Sequence, residues 1–295
     1  MTIEPSSGTG PGRTAARAGA LVAVAFLLGA CGDGAGSESQ GHADGGGASL
    51  AHIHGLDVNP ADDILYAGSH HGVFRITGDG PPEQIAGLTR DFMGFTIVGG
   101  DHFVGSGHAG PAEHDQPANL GLIESTNAGR TWQPVSLSGE VDFHAMEAKH
   151  NRVYGWDSQT GQLMVSEDNT SWDSRARLGL ADIAVSPTNP EEIVATTQDG
   201  VARSTDGGSD FATINGSPVL FFLDWPSADR LVGVDPRGAV HVSDDGGDSW
   251  QRRGTVSGSP QAITTHGSDE IYIATDTAIY HSTDNGAHFT VYQPL

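Results

Sequence analysis

The chain has 295 residues with 37 acidic against 14 basic side chains, a formal net charge of −23 when its 14 histidines are neutral. Such a surface repels phosphate backbones and anionic headgroups, which sets nucleic acid aside as a partner, favours solubility and attracts cations. A single cysteine excludes a disulfide framework.

Residues 1–17 are polar and carry Arg13 and Arg17, and an uncharged apolar run from Ala18 to Ala30 follows. At about 13 residues, that run is shorter than the roughly 20 a membrane-spanning helix needs. It ends in Leu28-Gly29-Ala30-Cys31, which resembles the lipobox of bacterial lipoproteins. The resemblance implies that residues 1–30 are a signal peptide, cleaved before Cys31, and that the Cys31 thiol takes the lipid. Two or more acyl chains, at roughly 0.8 kcal/mol per buried CH₂, would anchor the protein stably on the extracytoplasmic face of the cell membrane. Residues 1–30 contribute +1 through Glu4, Arg13 and Arg17, so the remainder carries −24. Residues 31–50 are almost wholly Gly, Ser, Ala and Asp, and read as a flexible tether.

From residue 51 onward a period near 40 governs the chain. Short strands open it at Leu65–Gly68 and Gly72–Ile76. A second repeat begins near Arg90 and inserts residues 107–119 before rejoining at Leu120. Five segments then align on Ser125, Ser166, Ser204, Ser243 and Ser282, spaced by 41, 38, 39 and 39 residues. Each reads Ser-x-Asp-x-Gly-x-Thr-Trp or nearly so. Asn127 stands where the others have Asp, and the copy at Ser166 is one residue short. An aspartate two residues after a serine accepts backbone N–H bonds and closes a turn, glycine supplies the positive φ, and the terminal aromatic packs back on its sheet. Four short strands per repeat, with repeats starting near residues 51, 89, 138, 179, 218 and 258, predict an all-β chain. The expected architecture is a six-bladed β-propeller of four-stranded antiparallel blades over residues 51–295, with the boxes as structural hairpins.

These segments resemble the Asp-box of the BNR repeat family, and the domain resembles the Asp-box propeller superfamily of sialidases, the sortilin luminal domain and photosystem II assembly-factor-like propellers. His52-Ile53-His54-Gly55-Leu56, Asp91-Phe92-Met93-Gly94-Phe95, Gly105-Ser106-Gly107-His108 and Asp142-Phe143-His144-Ala145 look like signatures of small bacterial lipoproteins labelled BNR-repeat glycosyl hydrolases. The label implies a hydrolase. A sialidase-like site needs an arginine clamp, however, and Phe74-Arg75-Ile76-Thr77 only imitates its first member. Arg75 aligns with Arg203, ahead of a box. With one lysine and about a dozen arginines in the domain, a clamp is hard to assemble. Another glycosidase chemistry would need two carboxylates, and Asp91 with Asp142 are the best pair, with Glu147 behind them.

Aligning the first strand of each repeat on Leu56, Phe95, Met146, Ile183, Leu223 and Ile263 exposes an asymmetry. Two positions upstream stand His54, Met93, His144, Ala181, Phe221 and Gln261. Four upstream stand His52, Asp91, Asp142, Gly179, Val219 and Ser259. Alternation puts residues two apart on one face, so blades one to three are expected to present imidazole, carboxylate and thioether at the ligand face. His70, His71, His108, His114 and Asp115 lie on connections to the same end. This pattern predicts a metal or polar-ligand site of His52, His54, Met93, His108, His144, Asp91 and Asp142, with copper or zinc the fitting ions. The expected function is a lipid-anchored, non-catalytic binding module. Two alternatives are a glycoside hydrolase using Asp91 and Asp142 on a glycan, and a docking scaffold for a membrane protein.

Overall fold

The computed structural model describes residues 49–295, which hold 24 strands and no helix. Cys31, the signal peptide and most of the tether lie outside the described residues. The strands form six four-stranded antiparallel sheets, each built from four consecutive strands. The first strand of each is innermost: Ile53–Asn59, Asp91–Gly99, Phe143–Lys149, Ile183–Val185, Phe222–Ser227 and Pro260–His266. Each packs against the corresponding strand of both neighbouring blades, and blade six returns to blade one. The result is the expected six-bladed propeller.

Every blade is contiguous in sequence, so no exchanged strand closes the ring. The seam between blades six and one is held by burial of Ile53, Leu56 and Phe74 against Ala262, Ala274 and Ile279. The Ile53 N–H adds a bond to Gln261 Oε1 across the seam at 3.0 Å. Inner strands approach closely. A Cβ on Gly55 would lie 2.6 Å from the Phe95 carbonyl oxygen, and one on Gly94 the same distance from that of Phe143.

Aspartates clasp neighbouring blades along the axis. Asp57 accepts from Val58 N–H on its own strand (2.9 Å) and from Ile97 N–H of the next blade (3.0 Å). Asp182 does the same with Ile183 (2.9 Å) and Leu223 (3.0 Å), and Asp224 with Trp225 (2.6 Å) and Thr265 (2.7 Å). One carboxylate thus satisfies two backbone donors that no sheet partner reaches.

The five boxes occupy hairpins between third and fourth strands, the end opposite the starts of the inner strands. In the fullest copies the buried serine is the hub. Ser204 Oγ donates to Asp206 Oδ1 (2.8 Å) and accepts from Gly208 N–H (2.8 Å), while Asp206 accepts from Ser209 and Asp210 N–H, each at 3.0 Å. Asn127 replaces aspartate without loss of the turn, because its Oδ1 still accepts from Thr131 N–H at 2.9 Å. Arg75 lies on the third strand of blade one, Gly72–Ile76, paired with Asp62, away from the axis.

Candidate functional site

Local backbone irregularity builds the site. In blades one, two, three and six, the pairing of the inner strand with its neighbour slips at His54, Met93, His144 and Gln261 respectively. A bulge of this kind sets two residues against one and re-aims a side chain. Simple alternation therefore does not place these groups. His52 precedes the first strand in a left-handed conformation, φ 51°, and Asp142 precedes the inner strand of blade three.

Side chains from blades one to three nevertheless converge. The His54 and His70 rings stack with centroids 4.8 Å apart, and His52 lies against His70 at 5.0 Å. One donor atom from each of His54, His70 and Asp91 falls within 4.8 Å of the others. His70 comes from the hairpin joining the second and third strands of blade one. Its N–H donates to the His52 carbonyl at 3.3 Å, which ties the two together.

His108 joins the two acids. Its Nδ1 is 3.3 Å from Asp91 Oδ2 and its Nε2 is 3.5 Å from Asp142 Oδ2. Asp142 Oδ2 also meets His144 Nε2 at 2.9 Å and accepts from Ser158 Oγ at 3.2 Å. The insertion of blade two fixes His108 from behind. His108 pairs with Asn119, and Glu113 clamps Arg90 through bonds of 2.8 and 2.6 Å. His71, His114 and Asp115 are exposed. Met93 is half-buried at its bulge, and its thioether enters none of the hydrogen bonds found among the described residues.

Of eight buried and unpartnered side-chain polar atoms among the described residues, three fall together at this site: His54 Nε2, Asp91 Oδ1 and Asp142 Oδ1. An unmet buried acceptor costs about 1–3 kcal/mol, more when it is charged, so such atoms commonly face a ligand. Two of the three belong to the triad just described. Burial, helped by the nearby His70, pushes the His54 pKa down to about 4, against the pull of Asp91. His70 is lowered too, chiefly by burial. Burial would raise Asp142, but its bond to His144 and the charges of His144 and His108 outweigh that and hold it below the usual range. At neutral pH His54 and His70 are thus neutral imidazoles and Asp142 is a carboxylate.

Below it runs an axial cavity of ≈ 370 Å³ lined by His54 and His144 and, along its walls, by Asp57, Glu147, Asp182 and Asp224. Lys149 answers these acids. Its Nζ lies 2.9 Å from Glu147 Oε1 and donates to the carbonyls of Val185 (3.1 Å) and Trp225 (3.3 Å), bridging blades three, four and five. Sequence reasoning named Glu147 but missed the other three acids of this lining. The signal was present, since Asp57, Glu147 and Asp224 each follow an apolar anchor by one residue within a strand.

No protein-family model matches the chain, and no curated protein sequence matches it. Among solved structures, the chain resembles YCF48 from Cyanidioschyzon merolae at 12% identity and TM-score 0.55, covering 80% of this chain and 96% of that one. It resembles the WD40 propeller domain of Doa1 at 10% identity and TM-score 0.57, over 84% and 85% of the two chains. It also resembles an ancestral GH74 enzyme at 16% identity and TM-score 0.51, covering 83% of this chain but 38% of that one. What these proteins share with the chain is the propeller fold.

Proposed function

We propose that the protein is a lipid-anchored, extracytoplasmic binding propeller that holds one divalent transition-metal ion on blades one and two, through His54, His70 and the Asp91 carboxylate. The observation that carries this reading is the pair of unpartnered buried atoms, His54 Nε2 and Asp91 Oδ1, in one triad with His70. Neutral imidazole and carboxylate suit zinc or copper(II). Asp91 Oδ2 against His108 supplies the outer contact that commonly orients a ligating carboxylate. Metal analysis after loading with zinc and copper tests the reading. One equivalent is expected in the wild type and none in a His54→Ala, His70→Ala double variant. A wild-type protein that stays empty with both ions overturns it.

The glycoside-hydrolase alternative has less support. A glycosidase needs one carboxyl group kept protonated as the acid. Asp142 is instead held low, and the His108 imidazole fills the space between it and Asp91. The scaffold reading, in which the ligand face docks a membrane protein, draws on the fold likeness to YCF48 alone.

A further inference from the structure

We infer that His52 is a detachable fourth ligand, which makes the site a metal-exchange site rather than a metalloenzyme centre. The inference rests on the metal-binding reading above. Three protein ligands leave a zinc-type ion with an open position for water or substrate, whereas four close it. His54, His70 and Asp91 supply three. His52 stands at the edge of this group, outside the set of donor atoms that lie within 4.8 Å of one another. The His52 ring lies 5.0 Å from that of His70, and its charge is felt by both His54 and His70. Of the other imidazoles that act on His70, His71 is exposed and His108 is held between Asp91 and Asp142.

His52 is one of ten described non-glycine residues with a positive φ. Its φ of 51° lies in the left-handed region, which a residue with a Cβ adopts rarely and which glycine would adopt freely. The bond from the His70 N–H to the His52 carbonyl at 3.3 Å holds that conformation. This conformation carries the ring to the solvent side of the triad. The other three ligands are held by strands, a hairpin and the His108 contact. His52 is exposed and precedes the first strand, so it is the ligand free to swing. An incoming imidazole or carboxylate of an acceptor protein would take its place, and the ion would leave by ligand exchange with no change of oxidation state. The chain's net charge of −23 repels an acidic surface, so the acceptor offering the final ligands is expected to be histidine-rich.

Cobalt(II)-loaded protein tests this. Wild type should give the intense visible bands of a four-coordinate ion. His52→Ala keeps the strained backbone and loses the ring, so it should give the weak bands of a hydrated, higher-coordinate ion. It should also release metal to EDTA about tenfold faster or more. His52→Gly should share that metal phenotype while raising the thermal stability of the apoprotein, which separates loss of a ligand from disturbance of the chain. If both variants keep the wild-type spectrum and release rate, the inference is overturned while metal binding at the triad stands. If the wild type takes up no cobalt, zinc or copper, both readings are overturned together.

Discussion

His54 occupies the bulge position of an inner strand with its Nε2 unpartnered and its ring stacked on His70. Burial there disfavours the imidazolium, so its pKa falls from 6.5 to about 4. In the unfolded chain the ordinary value returns. The native state therefore binds fewer protons, and the stability His54 contributes is present above pH 6.5 and lost as pH falls toward 4. The full cost of that descent is at most about 3 kcal/mol. Metal affinity should follow the same proton. A loaded protein dialysed at pH 5 should keep its ion, and release should come near pH 4, below the range of an ordinary imidazole site. In the apoprotein, denaturant unfolding of His54→Gln should lose less stability than wild type between pH 6.5 and 4. Metal loss at pH 6, or identical slopes in the two proteins, would rule out the buried neutral imidazole.

At the scale of the hairpin, the boxes differ in a way that predicts unequal costs. Ser204 Oγ takes the buried Gly208 N–H at 2.8 Å, whereas the short copy has no such glycine. Ser166 Oγ has only its two contacts with Asp168, at 3.3 and 3.4 Å. Ser204→Ala strands a buried donor and should cost about 1–3 kcal/mol, and Ser166→Ala under about 1 kcal/mol. Urea unfolding of the two variants measures the difference, and equal losses would remove the glycine N–H as its cause. The boxes also explain what was legible in the sequence. Their bonds join residues two to four apart, so the spacing from Ser204 to Gly208 states its own geometry, and the blade count follows from its repetition. The bulges at His54 and His144 were not legible. A bulge depends on how Ile53 and Gly55 meet Ser69 and Gly68 on the facing strand, and nothing within the inner strand marks it. The aligned columns still picked side chains that lie near one another, because the bulge recurs at one position in four blades. The blade-bridging role of Asp57 and Asp182 was hidden for a related reason. Their partners, Ile97 and Leu223, lie 40 and 41 residues away and become neighbours only when the ring closes.

For the whole molecule, the ring depends on contacts among six inner strands, and acids bridge three of those junctions. Burial pushes Asp57 up to about 7 and Asp182 up to about 8, against the bonds each accepts from backbone N–H groups. Glu147 is raised as well, by burial first and by Asp224, while Lys149 opposes it. In the unfolded chain these carboxyls return to about 4. A raised folded value means that the native ring binds more protons than the unfolded chain. The stability from Asp57 and Asp182 is therefore complete below pH 4 and is lost as pH rises through 7 to 8, by an amount on the order of a few kcal/mol. This is the opposite direction from His54. Lys149 stays charged across the window and keeps its bonds to Val185 and Trp225, so the junctions bridged by Asp57 and Asp182 should loosen first. Replacing both aspartates with asparagine leaves one acceptor oxygen at each junction and removes the ionisation. The double variant should be the less stable protein at pH 5, where it has lost an acceptor at each clasp. It should then close the gap by pH 9, because only the wild type has since gained buried charge. Melting temperatures at pH 5, 7 and 9 decide the matter. Parallel curves for the two proteins would mean that these carboxylates ionise as freely in the ring as in the unfolded chain, and that the axial cavity is wet enough to solvate them.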